Sequence, residues 1–433
     1  MEFNRENNQY RLNRIEELYS LFLSHPCVST DTRAICKGNI FFALQGDNFN
    51  GNQFAQKALD AGAALAVVDQ KEYCTSKNCF LVDNVLTTLQ FLATYHRRQM
   101  KDLKVLAITG TNGKTTTKEL TAAVLATKYN VLATQGNLNN QIGVPLTLLR
   151  ITPQTQIAII EMGASHPRDI AELCFIAEPD YGLITNVGRA HIAGFGSFEN
   201  IVKTKTELFR YLEGREGLCF VNMDDSNLAP WIDKLDCKIV PFSIMNPQEG
   251  VMASVWFDGQ IVRSNLLGSY NAHNMLAAIV IGLLFKVDTT KAKEAIEAYQ
   301  PSNNRSQIQK TAKNTLILDC YNANPSSFEA VFADFKAIEA ENKMAFIGAM
   351  KELGDVSIQE HKKVLQQLKD LNLKKIILVG DEFKEGITLE DDMLWFSSST
   401  QVKDYLTQNP VSGATILIKG SNSTKMIVLA DVL

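Results

Sequence analysis

The residues with the clearest chemistry run from Val105 to Thr117, Val-Leu-Ala-Ile-Thr-Gly-Thr-Asn-Gly-Lys-Thr-Thr-Thr. Val105 to Thr109 is an apolar, β-branched run suited to a buried strand. Gly110 and Gly113 interrupt it, and Lys114 to Thr117 open a long helical pattern. A strand, a glycine-rich turn and a helix N-terminus together form an anion cradle: backbone N–H groups converge, and glycine lets the chain approach the ligand. Lys114 would add a point charge at the terminal phosphates of a nucleoside triphosphate, and Thr115 a hydroxyl for Mg²⁺. The turn is shorter than the strict phosphate-loop pattern, which asks for a glycine where this chain has Ile108. The plainer alternative is a turn with a solvated lysine.

Other polar groups stand where apolar runs end. Ile157 to Ile160 lead to Glu161, a carboxylate placed to hold Mg²⁺ or orient water. Leu183-Ile184-Thr185-Asn186-Val187-Gly188 leads to His191, a metal or phosphate candidate beside the commoner structural role. Asn137, Asn139 and Asn140 crowd one turn and suit a polar ligand, or simply a turn. Lys203 and Lys205 share a helical segment with Glu207, ordinarily a solvated face. Asn271 and Asn274 open an apolar helix as caps or as flanks of a planar base. Asn322 and Asn324 lie in a polar turn after the strand ending at Asp319.

The elements that must position these groups alternate. Strands are expected at 105–109, 130–133, 157–161, 181–186 and 218–222, with helices at 115–129, 143–150, 167–177 and 199–211. That pattern implies a doubly wound parallel α/β sheet whose ligands sit beyond the carboxyl ends of its strands. Residues 1–103 read as a smaller N-terminal α/β unit, 104–300 as the central nucleotide-binding unit, and 301–433 as a Rossmann-like α/β unit without a dinucleotide glycine motif. At 433 residues, 45% hydrophobic and 21% charged, the chain can build several cores. A net charge of −4 gives no basic footprint for nucleic acid. The polar N-terminus lacks the apolar core of a signal peptide, and the Met275–Phe285 run is too short to span a membrane. Eight scattered cysteines, with Cys74 and Cys79 the nearest pair, suggest reduced thiols in a cytoplasmic protein.

Taken together, TGTNGKTTTKEL, TQGNLNNQIGVPLTLL, AIIEMGASHP, KTKTELF, LDCYNANPSSFEAV and the MKELG…H segment resemble the Mur ligases of peptidoglycan synthesis over essentially the whole chain. GNLNN and YNANP are most similar to the member that adds the terminal dipeptide. The resemblance implies a three-domain, ATP-dependent amide ligase, probed with UDP-N-acetylmuramoyl (UDP-MurNAc)-tripeptide and D-Ala-D-Ala. The tripeptide carboxylate would take the γ-phosphate to give an acyl phosphate, which the dipeptide amine would attack. It further implies that Lys114 holds the β- and γ-phosphates, that Thr115 and Glu161 bind one Mg²⁺, and that His191 and a carbamylated Lys205 serve a second, with Lys203 the wrong-register alternative. Asn271 and Asn274 would flank adenine, Arg305 and Asp319 would contact the nucleotide, and Thr32 and Arg33 would meet uridine. Asn137, Asn139, Asn140, Ser165, Asn322 and Asn324 would face substrate. The resemblance implies a cytoplasmic monomer that binds no nucleic acid and inserts into no membrane.

The chain departs from the family pattern at Gly348-Ala349-Met350-Lys351-Glu352-Leu353-Gly354, where Gly-Asp-Met-Leu-Glu-Leu-Gly is common. It departs again at Lys419-Gly420-Ser421-Asn422, where an arginine is common, and at Asn50-Gly51-Asn52, where Asp-Gly-His is common. Competing readings are a sister ligase acting on folate or adding a single amino acid, a P-loop switch protein, and an inactive binding protein. A switch protein should carry an Asn-Lys-x-Asp motif, and Asn342-Lys343-Met344-Ala345 fails at its last position.

Overall fold

The central strands lie side by side, all parallel, in the order Val131–Ala133, Ile157–Glu161, Lys104–Thr109, Tyr181–Ile184, Leu218–Asn222 and Lys238–Phe242. The chain leaves Lys104–Thr109 toward one edge and later crosses to its other side, so the crevice opens where that strand ends. Register places Ile108 beside Glu161 and Thr109 beside Ile184, which brings three strand ends to one rim. The strands are apolar throughout because both faces are covered. Val105, Ala107, Ala158 and Ile160 pack with Ile170, Leu173 and Leu208 on one side. Leu106, Ile108, Ile157 and Ile159 pack with Leu120, Val124, Met275 and Ile279 on the other.

The computed structural model describes residues 5–246, 250–301, 305, 307–384 and 393–433, with side chains from residue 13 onward. The first four residues of the expected N-terminal unit, and 302–304 and 306 at the start of the expected C-terminal one, lie outside the described residues. A four-stranded parallel sheet, Val28–Ser29, Ile40–Phe42, Leu65–Val68 and Cys79–Leu81, precedes the central one. Its helix Val85–Gln99 is capped by Asn84, whose Oδ1 accepts the Thr87 N–H at 2.8 Å. The basic end of that helix grips the central sheet: Arg98 pairs with Glu178 at 2.6 Å and Arg97 with Asp180 at 3.2 Å. A third sheet runs Gln307–Lys310, Thr315–Asp319, Thr415–Lys419, Lys343–Gly348, Lys375–Val379 and Met393–Phe396, parallel except for its first strand. Among the described residues no helix is long and apolar enough to cross a membrane.

Several expectations change. The 199–211 helix is two, Phe198–Lys205 and Glu207–Glu213, broken at Thr206. The edge strand Lys238–Phe242 and the hairpin Met252–Phe257/Gln260–Leu267 are additions, the latter turning at Asp258-Gly259 with both residues at positive φ. The expectation of reduced thiols is corrected at Cys74 and Cys79, which form a disulfide: the turn between them brings their Cα atoms to 5.5 Å, within bonding range. The other six cysteines are free.

Two buried histidines sit at joints. The His96 ring nitrogens meet Tyr19 Oη at 3.2 Å and the Ile151 carbonyl at 2.8 Å. His361 Nε2 accepts the Met350 N–H at 3.1 Å, and its Nδ1–H donates to the Ser357 carbonyl at 2.8 Å. Burial pushes both pKa values below the ordinary histidine value. A depressed folded pKa means that below pH about 6.5 the unfolded chain binds protons the native state refuses. The two histidines' contribution to stability is therefore full above that pH and is lost as the pH falls. Urea unfolding at pH 7.5 and 5.5 should show a lower unfolding free energy at 5.5, by up to about 1.4 kcal/mol per pH unit for each ring. His361→Gln should show a shallower drop; an equal drop in that variant would remove His361 from the acid response.

Candidate functional site

The loop after Lys104–Thr109 is held from outside. Gly110 has φ +141°, and a Cβ there would come within 2.0 Å of Thr185 Oγ1. Gly113 has φ +79°, and a Cβ there would meet Asn274 Oδ1 at 2.6 Å. Only glycine fits either place. The Asn112 carbonyl accepts from Thr185 Oγ1 at 2.6 Å and from Asn186 Nδ2 at 3.0 Å, while the Asn112 N–H donates to Asn186 Oδ1 at 3.0 Å. Lys114 begins the helix Lys114–Ala126, and its ammonium donates back to the Gly110 and Thr111 carbonyls, each at 2.9 Å. Burial lowers its pKa to about 8, with Glu161 pulling upward and Arg305 pushing down. A cation thus stands at a helix N-terminus, directed by two carbonyls of its own loop.

Behind it lies a carboxylate with its orientation fixed. Glu161 is 1% exposed. Its Oε2 accepts from Thr115 Oγ1 at 2.8 Å and its Oε1 from Asn139 Nδ2 at 2.9 Å. Lys118, 3% exposed, donates to the Thr134 carbonyl at 2.7 Å and stands 3.9 Å from Glu161 Oε2.

Lys205 and Lys203 separate cleanly. Lys203 is an exposed side chain paired with Glu199 at 3.2 Å. Lys205 is 3% exposed and lines the cleft. Its pKa is driven well below the ordinary lysine value by burial and then by the Lys114 charge, against Asp169 and Glu207. His191 lies at the same rim with φ +51°, its Nδ1 in contact with the Glu352 carboxylate.

The third sheet closes the cleft. Lys419 is buried between Asp319 Oδ2 at 2.8 Å and the Asn322 carbonyl at 2.5 Å. The Arg305 guanidinium lies 3.6 Å from the centre of the Tyr321 ring. Asn324 caps the helix Pro325–Ala337 by accepting the Ser327 N–H at 2.9 Å, and its Nδ2 donates to Asn112 Oδ1 at 3.0 Å. The cleft's volume is about 990 Å³.

Three adjoining family models match: "Mur ligase family, catalytic domain" over residues 26–108, "Mur ligase middle domain" over 108–282 and "Mur ligase, glutamate ligase domain" over 304–422. The UDP-N-acetylmuramoyl-tripeptide–D-alanyl-D-alanine ligase of Haemophilus influenzae is 32% identical over 424 residues, covering 92% of this chain and 91% of its own. The chain belongs to the Mur ligase family. The ligase of the same name from Bacillus subtilis is 31% identical over 92% of this chain and 91% of its own. Among solved structures, MurF from Acinetobacter baumannii superimposes with a TM-score of 0.84 at 29% identity, covering 94% of this chain and 92% of that one. MurF ligase from Thermotoga maritima, in complex with ADP, gives 0.80 at 25% identity over 94% and 96%.

In this Mur ligase the cleft gathers Gly110, Thr111, Asn112, Gly113, Lys114, Thr115, Thr116, Asn137, Asn139, Asn140, Glu161, Ser165, His191, Lys205, Asn271, Asn274, Arg305, Asp319 and Asn322. Three of the residues expected at the site lie outside its lining. Asn324 is spent as a cap and as a tie to Asn112. Thr32 and Arg33 belong to the N-terminal sheet's rim, where exposed Arg33 pairs with Asp31 at 2.7 Å. The Asn271 and Asn274 amides bond each other at 2.7 Å, and Asn274 also accepts from Thr117 at 2.9 Å, so they brace the helix start against the loop helix. Residues the sequence reading missed are Lys118, Thr185, Asn186, Glu352 and Lys419. Lys118 had a signal, since it lies one helical turn after Lys114 and so on the same face.

The donor set fits Mg²⁺. Thr115 Oγ1 and Glu161 Oε2 are hard oxygen donors already converging, and Mg²⁺ takes one or two such protein ligands beside phosphates and water. Lys205 cannot ligate as an ammonium, but the same environment favours its neutral amine, the form that adds CO₂.

Proposed function

We propose that this protein is the ATP-dependent ligase that joins D-alanyl-D-alanine to UDP-MurNAc-tripeptide. The observation that carries the reading is the buried Thr115–Glu161–Asn139 constellation facing the Lys114 loop, in a chain that aligns almost end to end with ligases of that name. The proposed domain borders are 1–103 for the UDP end of the substrate, 104–300 for ATP and 301–433 for the incoming dipeptide. The enzyme acts as a cytoplasmic monomer.

A carboxylate is a poor electrophile, and phosphorylation gives it a leaving group. The protein's share is positioning and charge neutralisation. The loop N–H groups and Lys114 hold the β- and γ-phosphates in line with the tripeptide carboxylate. Thr115 and Glu161 hold one Mg²⁺, and His191 with a carbamylated Lys205 holds the second. When bound, Mg²⁺ neutralises the phosphate oxygens. Asn139 and Lys118 keep the Glu161 carboxylate turned toward Thr115. Asn271 and Asn274 flank adenine, and Arg305 and Asp319 contact the nucleotide. Asn137, Asn140, Ser165 and Asn322 line the path of peptide and dipeptide, while Thr32 and Arg33 meet uridine. Attack of the carboxylate oxygen on the γ-phosphorus releases ADP and leaves an acyl phosphate. The dipeptide amine then adds to the carbonyl carbon, and the tetrahedral adduct expels phosphate, which leaves with the proton lost from nitrogen as the amide forms.

Phosphate release with ATP, UDP-MurNAc-tripeptide and D-Ala-D-Ala should depend on the dipeptide, with pentapeptide formed in equal amount by mass spectrometry. Turnover only with a folate or a single amino acid would reassign the substrate.

A further inference from the structure

The segment from Gly348 to Gly354 plays no part in the chemistry above, yet it is firmly built. The Ala349 N–H donates to the Val379 carbonyl at 2.8 Å, the Met350 N–H to His361 Nε2 at 3.1 Å, and Lys351 pairs with Glu382. These ties leave Glu352 as the residue the loop delivers to the cleft, at φ +62°. Its carboxylate meets His191 Nδ1 and its carbonyl accepts the Ala193 N–H at 3.4 Å. Both partners hold left-handed backbone, which side-chain-bearing residues rarely adopt. The two lie on loops that follow strands of different sheets, 161 positions apart in sequence.

A carboxylate against Nδ1 fixes the proton there and leaves Nε2 as the nitrogen with a free lone pair. Free neutral imidazole prefers the opposite tautomer. We propose that Glu352 is a positioning residue that sets the His191 tautomer from the third sheet, so that His191 presents Nε2 as an acceptor or ligand only while the C-terminal unit is docked. Its consequence for turnover rests on the role proposed for His191; the tautomer itself does not. Such an arrangement ties competence at the phosphate end of the cleft to the arrival of the unit that brings the dipeptide.

The test uses the full chain labelled with ¹⁵N-histidine. Its six histidines are resolved by long-range ¹H–¹⁵N correlation at pH 8.5, with His191→Gln assigning the signal of interest. Wild type should show His191 with Nδ1 protonated. Glu352→Ala should revert it to the Nε2–H form while the other five signals stay in place, with kcat down roughly 10- to 100-fold and KM for the UDP substrate unchanged. Glu352→Asp should restore part of both. An unchanged His191 tautomer in Glu352→Ala overturns the proposal. A shifted tautomer with full turnover in both Glu352→Ala and His191→Gln leaves tautomer control standing and removes His191 from the reaction.

Discussion

Lys114→Ala is expected to lower ATP-dependent ligation by roughly 10³-fold, the upper range for removing one preorganised charge donor from a transition state. The size follows from where the ammonium sits. It is the cation that the helix Lys114–Ala126 holds at its own N-terminus, with two carbonyls fixing its direction at 2.9 Å. The remaining loop donors are backbone N–H groups, and they carry only partial charge. Folding should survive, because Lys114 bonds only loop carbonyls and the loop is independently braced by Thr185 and Asn186. The loss in stability should be near the value of an ordinary hydrogen bond, about 1 kcal/mol. Steady-state kinetics with a thermal melt checks both halves. A variant that melts as wild type and still turns over at more than a tenth of the wild-type rate would remove Lys114 from the mechanism.

That prediction draws on a part of the molecule that was legible in the sequence, and the reason is local. A strand buried on both faces has to be a continuous apolar run, and Gly110 and Gly113 end that run in a turn whose positive φ values favour glycine. The same reasoning found Glu161, because a carboxylate ending an apolar run has nowhere to go but the sheet's rim. It failed where partners are set by three-dimensional register. Lys118 reads as one more charge on a helix until Thr134 and Glu161 are seen around it. Glu352 and His191 meet only because two sheets dock. Asn324 looked like a ligand contact but is a helix cap, a role its position directly before Pro325 already favoured. The edge strand Lys238–Phe242 was missed for a related reason: it carries Pro241, tolerated only because no further strand pairs beyond it, and it lacks the strong apolar signature of the strands inside.

Lys205→Ala is the second large effect, expected at roughly 10²- to 10³-fold in kcat, and it tests the proposed carbamate directly. The side chain lies buried at the cleft, where burial and then the Lys114 charge drive its pKa well below the ordinary lysine value and so favour the neutral amine. Only a neutral amine has the lone pair that attacks CO₂. The nitrogen forms a bond to carbon, one C=O pair moves to oxygen, and the amine proton leaves to solvent. A neutral amine is thereby replaced by an anion, which the Lys114 charge attracts. Alanine leaves a space of about the removed side chain, and a short carboxylic acid that enters it restores the negative group without the covalent link. Formate, acetate or propionate should therefore return activity with saturating dependence on concentration, roughly tenfold at best, since a free anion lacks the tether's positioning. Lys205→Arg should not respond, because its guanidinium stays charged and fills the space. Stripping CO₂ from wild type should slow turnover, and bicarbonate should recover it. If neither the added acids nor CO₂ removal changes the rates, Lys205 acts as an unmodified lysine, and the second Mg²⁺ loses the ligand proposed for it.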